Sequence, residues 1–297
     1  MNDLSLWNLM REAWTALSDH FEPVIEKLVT DSGLEARTWG LLLASLTFEP
    51  DNTTPAHLMV RVPYTSAETY LKRLEKAADM GYLTEVANGE FYLTPVGRAE
   101  TQRFIEQARL AMKAADPLPL TDSRRLAALL DHLVHSCLNT STPPDVWSIR
   151  LSHRLMPAYD PPMPFIEQAF SCLSAYRDDA HLAAWQASGL TATALESLTY
   201  LWRSQANSLD GLVELLASRG HPRPVYVAAV ADLRRRKYVA SIKGKLRITA
   251  EGKRFREQVE VDTDRYFYRP WTALSAAEKA EMEKLLLRLG DGLKKHR

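Results

Sequence analysis

Apolar residues recur every three or four positions along several stretches of the chain, a spacing that places them on one face of an α-helix. The first stretch covers residues 6–30, and the second covers residues 35–46. Thr54 is followed by a proline, the favoured first residue of a helix, and this pair predicts the start of a short third helix. The pattern therefore predicts a chain that is mostly helical.

A fourth helix and a hairpin are expected next. Thr65 or Ser66 is expected to cap the helix, and Thr65 and Glu68 have the spacing of a capping box. Two short extended segments then flank Asn88-Gly89, the strongest short signal for a β-hairpin. A long helix follows to about residue 115. This order of elements is that of a winged helix-turn-helix, in which the hairpin is the wing.

The second half of the chain repeats the first at a nearly constant offset of 155 or 156 residues. Shared helical spacing explains aligned leucines, but it does not explain aligned glycines and threonines. Internal similarity of this kind indicates a duplicated fold unit. The matched strings are residues 32–34 with 188–190, 70–83 with 226–239, and 93–97 with 248–252.

The predicted fold class is mostly α with small β-hairpin wings. We expect a tandem winged helix-turn-helix, in which the two units of a single chain form a pseudo-dimer. The first unit is predicted over residues 1–138 and the second over residues 164–297, each with flanking helices that resemble dimerisation helices. Residues 139–163 are rich in proline and predict a linker with limited regular structure.

Charge distinguishes the two predicted units, although the chain as a whole holds 37 basic and 37 acidic residues. Residues 219–256 contain twelve basic and two acidic residues, a local net charge of +10. The corresponding residues 61–98 contain five of each and have no net charge. Because contacts with phosphate supply most non-specific affinity for DNA, the second unit is the expected DNA-binding half.

Double-stranded DNA is therefore the expected partner. Arg223 is expected to read a base, since arginine to guanine is the commonest specific contact. Lys243, Lys245 and Arg247 are expected to contact phosphate or the groove walls from the wing. The candidate residues of the first unit have two open interpretations. They either contact DNA or only cap their helix and form its solvent-exposed face. The remaining candidate contacts are Thr65, Ser66, Thr69, Lys72, Arg73, His221 and Tyr226.

The helix-to-wing passages at 74–83 and 230–239 and the wing exits Leu93-Thr94-x-x-Gly97 and Ile248-Thr249-x-x-Gly252 resemble the MarR family of bacterial regulators. The resemblance implies a transcription regulator that works as a monomeric pseudo-dimer. It also implies a small aromatic or apolar effector, for which four tryptophans are candidate walls. Neither wing has the Asp-Arg pair that is usual in the family, so the resemblance does not extend to insertion of the wing into the minor groove. The tryptophans are Trp14, Trp39, Trp185 and Trp202.

No catalytic or cofactor motif is apparent, so we expect neither an enzyme nor a cofactor. Cys137 and Cys172 are expected to be free and buried, and His132 and His135 lack the partners of a metal site. The N-terminus has no signal-peptide pattern and no segment is apolar enough for a membrane helix, so a cytoplasmic protein is expected. The alternative function is a tandem winged-helix scaffold that binds protein through its neutral first unit.

Overall fold

A computed structural model describes residues 3–295, without the side chains at positions 36 and 37. The fold is mostly helical with two small antiparallel hairpins, as predicted. The first half contains α1 (Asp3–Asp31), α2 (Ala36–Phe48), α3 (Pro55–Arg61), α4 (Ala67–Asp79), β1 (Leu83–Ala87), β2 (Glu90–Leu93), α5 (Pro95–Ala114) and α6 (Leu120–Leu138). The rest contains α7 (Trp147–His153), α8 (Pro162–Gln186), α9 (Ala192–Trp202), α10 (Leu209–Leu215), α11 (Arg223–Arg235), β3 (Val239–Ile242), β4 (Lys245–Ile248), α12 (Ala250–Tyr268) and α13 (Ala276–Lys295).

Hydroxyl side chains begin several of the helices. Thr54 caps α3, because its side chain accepts a hydrogen bond from the backbone N–H of His57 at 3.1 Å. Ser66 caps α4 by accepting from the N–H of Thr69 at 3.1 Å. The capping box expected between Thr65 and Glu68 is wrong, because Glu68 instead pairs with Lys72 at 2.6 Å.

The two hairpins differ in their turns. We call β1–β2, residues 83–93, the first wing, and β3–β4, residues 239–248, the second wing. The second wing turns through Lys243 and Gly244, which both have positive φ angles, of 50° and 76°. In the first wing Gly89 has a φ of 78°, and the strand register shifts between Glu85 and Ala87.

The same junction follows both wings. Thr94 caps α5 and Thr249 caps α12, each by accepting a hydrogen bond from the glycine N–H three residues later. A Cβ atom on Gly97 would lie 2.0 Å from the carbonyl oxygen of Tyr82, and one on Gly252 would lie 2.2 Å from that of Tyr238. The threonine of the repeated Thr-x-x-Gly string is therefore needed to cap the helix. The glycine is needed because the helix start lies directly against the backbone that precedes the wing.

Long helices from both ends and from the middle of the chain form the central core. It contains buried residues of α1, α6, α8, α12 and α13, among them Trp7, Leu130, Phe170 and Phe267. Cys137 and Cys172 lie in this core as free thiols. Two smaller cores lie inside the elements that carry the wings. Between residues 3 and 295, no helix is long and apolar enough to span a membrane.

The proline-rich linker contains a helix, α7, that its composition does not predict. Ile149 of α7 is fully buried. The carboxylate of Asp179, on α8, accepts hydrogen bonds from the backbone N–H groups of Ser148 and Ile149 at 2.9 and 3.1 Å. The N-terminus of α7 is thus capped by a side chain from another helix, a contact that local sequence does not reveal.

Candidate nucleic-acid interface

One face of α11 packs inward and the other faces solvent. Tyr226, Ala229, Val230 and Leu233 are buried at the three- and four-residue spacing of a helix. The outer face carries solvent-exposed side chains between the two ends of the helix. These outer residues are Arg223, Val227, Ala228, Ala231, Arg234 and Arg235.

The second wing presents a basic face. Lys245 and Arg247 alternate with the buried Leu246 on β4, so they point to the same side of the hairpin. They lie opposite Ile242 and Ala240 on β3. Both cations are solvent-exposed, as is Lys243 at the turn.

Ion pairs divide the twelve basic residues of 219–256 into two sets of six. One set is neutralised by nearby carboxylates, as Arg219 is by Glu196 at 2.6 Å. In the part of the chain that the structure describes, the other six are exposed and have no carboxylate within ion-pair distance. These six are Arg234, Lys237, Lys243, Lys245, Arg247 and Arg254.

The matching positions of the first wing carry a different chemistry. At the offset of 155 residues, Glu90 occupies the place of Lys245, and Tyr92 occupies the place of Arg247. Tyr92 is exposed, and the exposed Glu85 adds a further negative charge on the partner strand. The two wings therefore share a fold but present opposite charges.

Two of the six unpaired cations have backbones in the left-handed region. Lys237 has a φ of 63° and Lys243 a φ of 50°. The residue that matches Lys237 in the first unit is Gly81, with a φ of 80°. Glycine adopts this conformation without steric cost, whereas a lysine there costs about 1–2 kcal/mol. Residues held in such conformations cluster at functional sites.

The N-terminal ends of α4 and α11 abut each other. The backbone N–H of Ser66 donates to the carbonyl oxygen of Arg219 at 2.9 Å, and a ring nitrogen of His221 lies 3.0 Å from the carbonyl oxygen of Tyr64. A Cβ atom on Gly220 would lie 1.8 Å from the hydroxyl of Thr69. Sequence periodicity gives no signal for this contact, because it joins residues that are about 150 positions apart.

Some of the candidate residues are therefore covered in this structure. Thr65 and Ser66 are buried beside this contact. Tyr226 is 1% exposed and its hydroxyl donates to the carbonyl oxygen of Leu216 at 3.2 Å, so it is a core residue of the second unit. Burial raises the pKa of Tyr226 to about 12. We leave Thr65, Ser66 and Tyr226 out of the proposed DNA-contacting set.

Other candidates lie at the surface with partners of their own. Arg223 is exposed and pairs with Asp210. Lys72 pairs with Glu68, and the hydrogen bond between them lowers the pKa of the Glu68 carboxyl. The guanidinium of Arg73 lies 5.7 Å from the centre of the Tyr70 ring. In contrast, Lys243, Lys245 and Arg247 of the second wing can contact a ligand without the loss of an ion pair.

The four tryptophans lie at separate places in the structure, so the expected effector site stays a prediction. Trp39 lines a cavity beside α1 and α8, and Trp14 borders it through a hydrogen bond to Glu167. Trp185 is buried in the core of the second unit, and Trp202 lies under the guanidinium of Arg256 at 5.1 Å. Indole rings pack well in any apolar core, so composition alone does not distinguish a tryptophan of the core from one that lines a ligand pocket.

Comparison with known proteins gives one match. Residues 151–296 match a helix-turn-helix family. The match includes α9 to α13 and the second wing, and it supports a helix-turn-helix DNA-binding domain in this half of the chain. No curated protein and no solved structure matches the chain.

Three residues of the helix-turn-helix half were not singled out from the sequence as contacts. They are Arg234, Lys237 and Arg254, which the structure leaves exposed and unpaired among the described residues. Their signal is present in the sequence. Arg234 follows the buried positions Val230 and Leu233 near the end of α11. The helical spacing places its side chain on the outer face.

Proposed function

We propose that the chain is a DNA-binding transcription regulator that contacts duplex DNA with the second wing and the outer face of α11. The observation that carries the proposal is the set of six exposed basic side chains without carboxylate partners, from Arg234 to Arg254. Six such charges supply the phosphate contacts on which affinity for DNA depends. The helix-turn-helix match over residues 151–296 agrees with this placement.

The finer parts of the proposal are a MarR-like regulator, a tandem of two winged-helix units and a monomer in solution. The repeated Thr-x-x-Gly junction at Gly97 and Gly252 supports the duplication. The packing of α1 against α13 and of α6 against α8 supports a pseudo-dimer, because these flanking helices find their partners within one chain. A small-molecule effector, bound in the cavity that Trp39 lines, completes the proposal.

The test is fluorescence anisotropy of a labelled duplex at several salt concentrations. The triple variant Lys243→Gln, Lys245→Gln, Arg247→Gln removes the charge of the second wing. The slope of log K against log salt should fall by about 3, because each phosphate that is no longer neutralised lowers the slope by roughly one. The matched control neutralises three exposed lysines elsewhere, Lys113, Lys284 and Lys295, and should leave the slope unchanged.

Two results contradict the proposal. The first is an absence of measurable DNA binding at low salt, because six unpaired cations should bind DNA measurably under that condition. The second is an equal loss of affinity in the wing variant and the control variant, which would mean that only total charge matters. Circular dichroism and thermal unfolding serve as the control that both variants are folded.

A second candidate function is favoured by the first wing. Val86, Tyr92 and Val96 are exposed apolar residues on this wing and at the start of α5, and Glu85 and Glu90 lie on the same hairpin. An acidic surface with exposed apolar groups repels DNA and favours a protein partner. Capture of one stoichiometric partner that Val86→Asp abolishes, together with no affinity for DNA, would favour a protein-binding scaffold over the regulator.

A further inference from the structure

A cavity of about 380 Å³ lies among α1, α2, α5 and α8, and we call it the central cavity. Phe21 and Trp39 supply aromatic walls to it. The volume is within the range of sites that bind small organic ligands. Its other apolar lining residues are Ile25, Leu43, Ile105, Ala108, Met112, Leu155 and Pro164.

Glu167, on α8, places a carboxylate at the wall of this apolar cavity. The indole N–H of Trp14 donates to it at 3.2 Å and, among the described residues, is the one hydrogen-bond donor to it. Burial raises the pKa of Glu167 to about 7. Glu167 is half-buried by its surface exposure, and its carboxylate is largely withdrawn from water. Such a carboxylate normally has a counter-ion, and this one has no basic group within ion-pair distance in residues 3–295.

One basic residue shares the cavity, and it is engaged elsewhere. The guanidinium of Arg109 donates to the carbonyl oxygen of Leu155 at 2.7 Å. It acts on Glu167 only through longer-range attraction. Glu22 and Glu26, both exposed on α1, also line the cavity. The lining thus holds three carboxylates and one guanidinium, an excess of negative charge.

We propose that the central cavity binds a lipophilic organic cation, with the positive charge beside Glu167 and the apolar body between Phe21 and Trp39. The cation supplies the counter-ion that the carboxylate lacks, and aromatic faces attract a desolvated cation. The inference names the ligand class of the proposed effector site. It rests on that part of the proposed function and is independent of whether the protein binds DNA.

The probes are tetraphenylphosphonium and tetraphenylborate, which have similar size and shape and opposite charge. Isothermal titration calorimetry of the full chain without DNA at pH 8 should show one site for tetraphenylphosphonium and at least about tenfold weaker binding of tetraphenylborate. Glu167→Gln keeps the shape of the side chain and should weaken binding of the cation at least about tenfold. The control Glu214→Gln, at an exposed site on α10, should not change it.

The wild-type protein offers a further test that needs no variant. A cation selects the ionised carboxylate, so with a pKa of about 7 the affinity should fall about tenfold between pH 8 and pH 6. The titratable groups that share the cavity lining with Glu167 are Glu22 and Glu26 on α1 and Arg109 on α5, and the charge of Glu167 also helps to raise the pKa of Cys172 on α8. Loss of the pH effect in Glu167→Gln assigns it to Glu167.

Three outcomes overturn the proposal. They are binding of tetraphenylborate as tight as that of tetraphenylphosphonium, unchanged affinity for the cation in folded Glu167→Gln, and no binding of the cation at millimolar concentration. Preference for the anion would mean that Arg109 governs the cavity. Because the titrations contain no DNA, a failure of DNA binding in the anisotropy experiment does not alter their outcome.

Discussion

At the scale of single residues, Lys237 and Lys243 have positive φ angles, which should lower the stability of the fold while their charges favour DNA binding. Lys237→Gly relieves the cost of a positive φ and should stabilise the protein by about 1 kcal/mol, measured by urea unfolding. The same substitution removes a surface cation and should weaken DNA binding. The matched control is Gly81→Lys in the first unit, which should destabilise the protein by a similar amount. A Lys237→Gly protein that is more stable and binds DNA unchanged would show that this lysine has no role at the interface.

His181 gives the fold a sensitivity to acid. It lies between α8 and α12, where a ring nitrogen is 3.2 Å from the hydroxyl of Thr263, and burial, together with the nearby charge of Arg256, lowers its pKa to about 4. Between pH 6.5 and pH 4 the unfolded chain binds a proton at this site and the folded chain does not. Stability should therefore fall as the pH falls through this window, by up to about 2 kcal/mol at pH 5.

The measurement for His181 is the free energy of unfolding in urea at pH 7 and pH 5. His181→Gln removes the titrating ring, so its loss of stability between the two pH values should be smaller than that of the wild type. Comparison of the two proteins cancels the contributions of Asp179 and Glu167, whose carboxyl pKa values burial raises. Equal losses in the two proteins would exclude this role for His181.

At the scale of the elements, the helix-start glycines test whether both units use the same junction. Gly97→Ala and Gly252→Ala each place a methyl group against a backbone carbonyl, about 2 Å away. Each should lower the free energy of unfolding by at least about 2 kcal/mol, because neither helix can move away without breaking its cap. Gly40→Ala, within α2, meets no atom within 4 Å and should instead stabilise the protein by about 0.5–1 kcal/mol.

The elements also show what the sequence could and could not reveal. Helices, wings and most caps follow from local spacing, and Thr54, Thr94 and Thr249 cap helices that the sequence predicts. The cap of α4 was ambiguous, since Thr65 and Ser66 are adjacent hydroxyl residues. α7 has no such local signal, because its N-terminus is capped by Asp179 from another helix. Contacts that depend on tertiary packing have no periodic signal.

The same limit applies to the candidate site. The basic character of the second wing could be read from Lys243, Lys245 and Arg247, because alternation along a strand fixes which side chains share a face. The contact between the N-terminal ends of α4 and α11 could not be predicted from the sequence. Thr65 and Ser66 are buried beside this contact and are therefore not at the surface.

At the scale of the whole molecule, zero net charge conceals an uneven distribution. Basic and acidic residues balance over the chain, yet the second wing presents lysine and arginine where the first presents Glu90 and Tyr92. A homodimer of identical subunits could not divide its charge in this way. The duplication that we propose allows such a division, because two copies in one chain change independently. The arrangement therefore predicts that only one of the two wings contacts DNA.

The size of the DNA site follows from the contact between α4 and α11. In a dimeric helix-turn-helix protein, two recognition helices enter successive major grooves about 34 Å apart. Here the backbone N–H of Ser66, the cap of α4, donates at 2.9 Å to the carbonyl oxygen of Arg219, which lies four residues before the start of α11. Two helices this close cannot occupy successive grooves, so the protein should read a single half-site of about one helical turn.

Selection of bound duplexes from a random pool should accordingly yield one short, non-palindromic motif, with one protein bound per duplex by light scattering. Reversal of the first-wing charge through Glu85→Lys and Glu90→Lys should leave the motif unchanged, because that wing lies outside the site. The triple second-wing variant should instead weaken binding to every sequence, since we propose that the lysines and arginine of this wing contact phosphate. A palindrome with half-sites one turn apart would require α4 and α11 to separate, and would show that the protein binds DNA in a conformation other than this one.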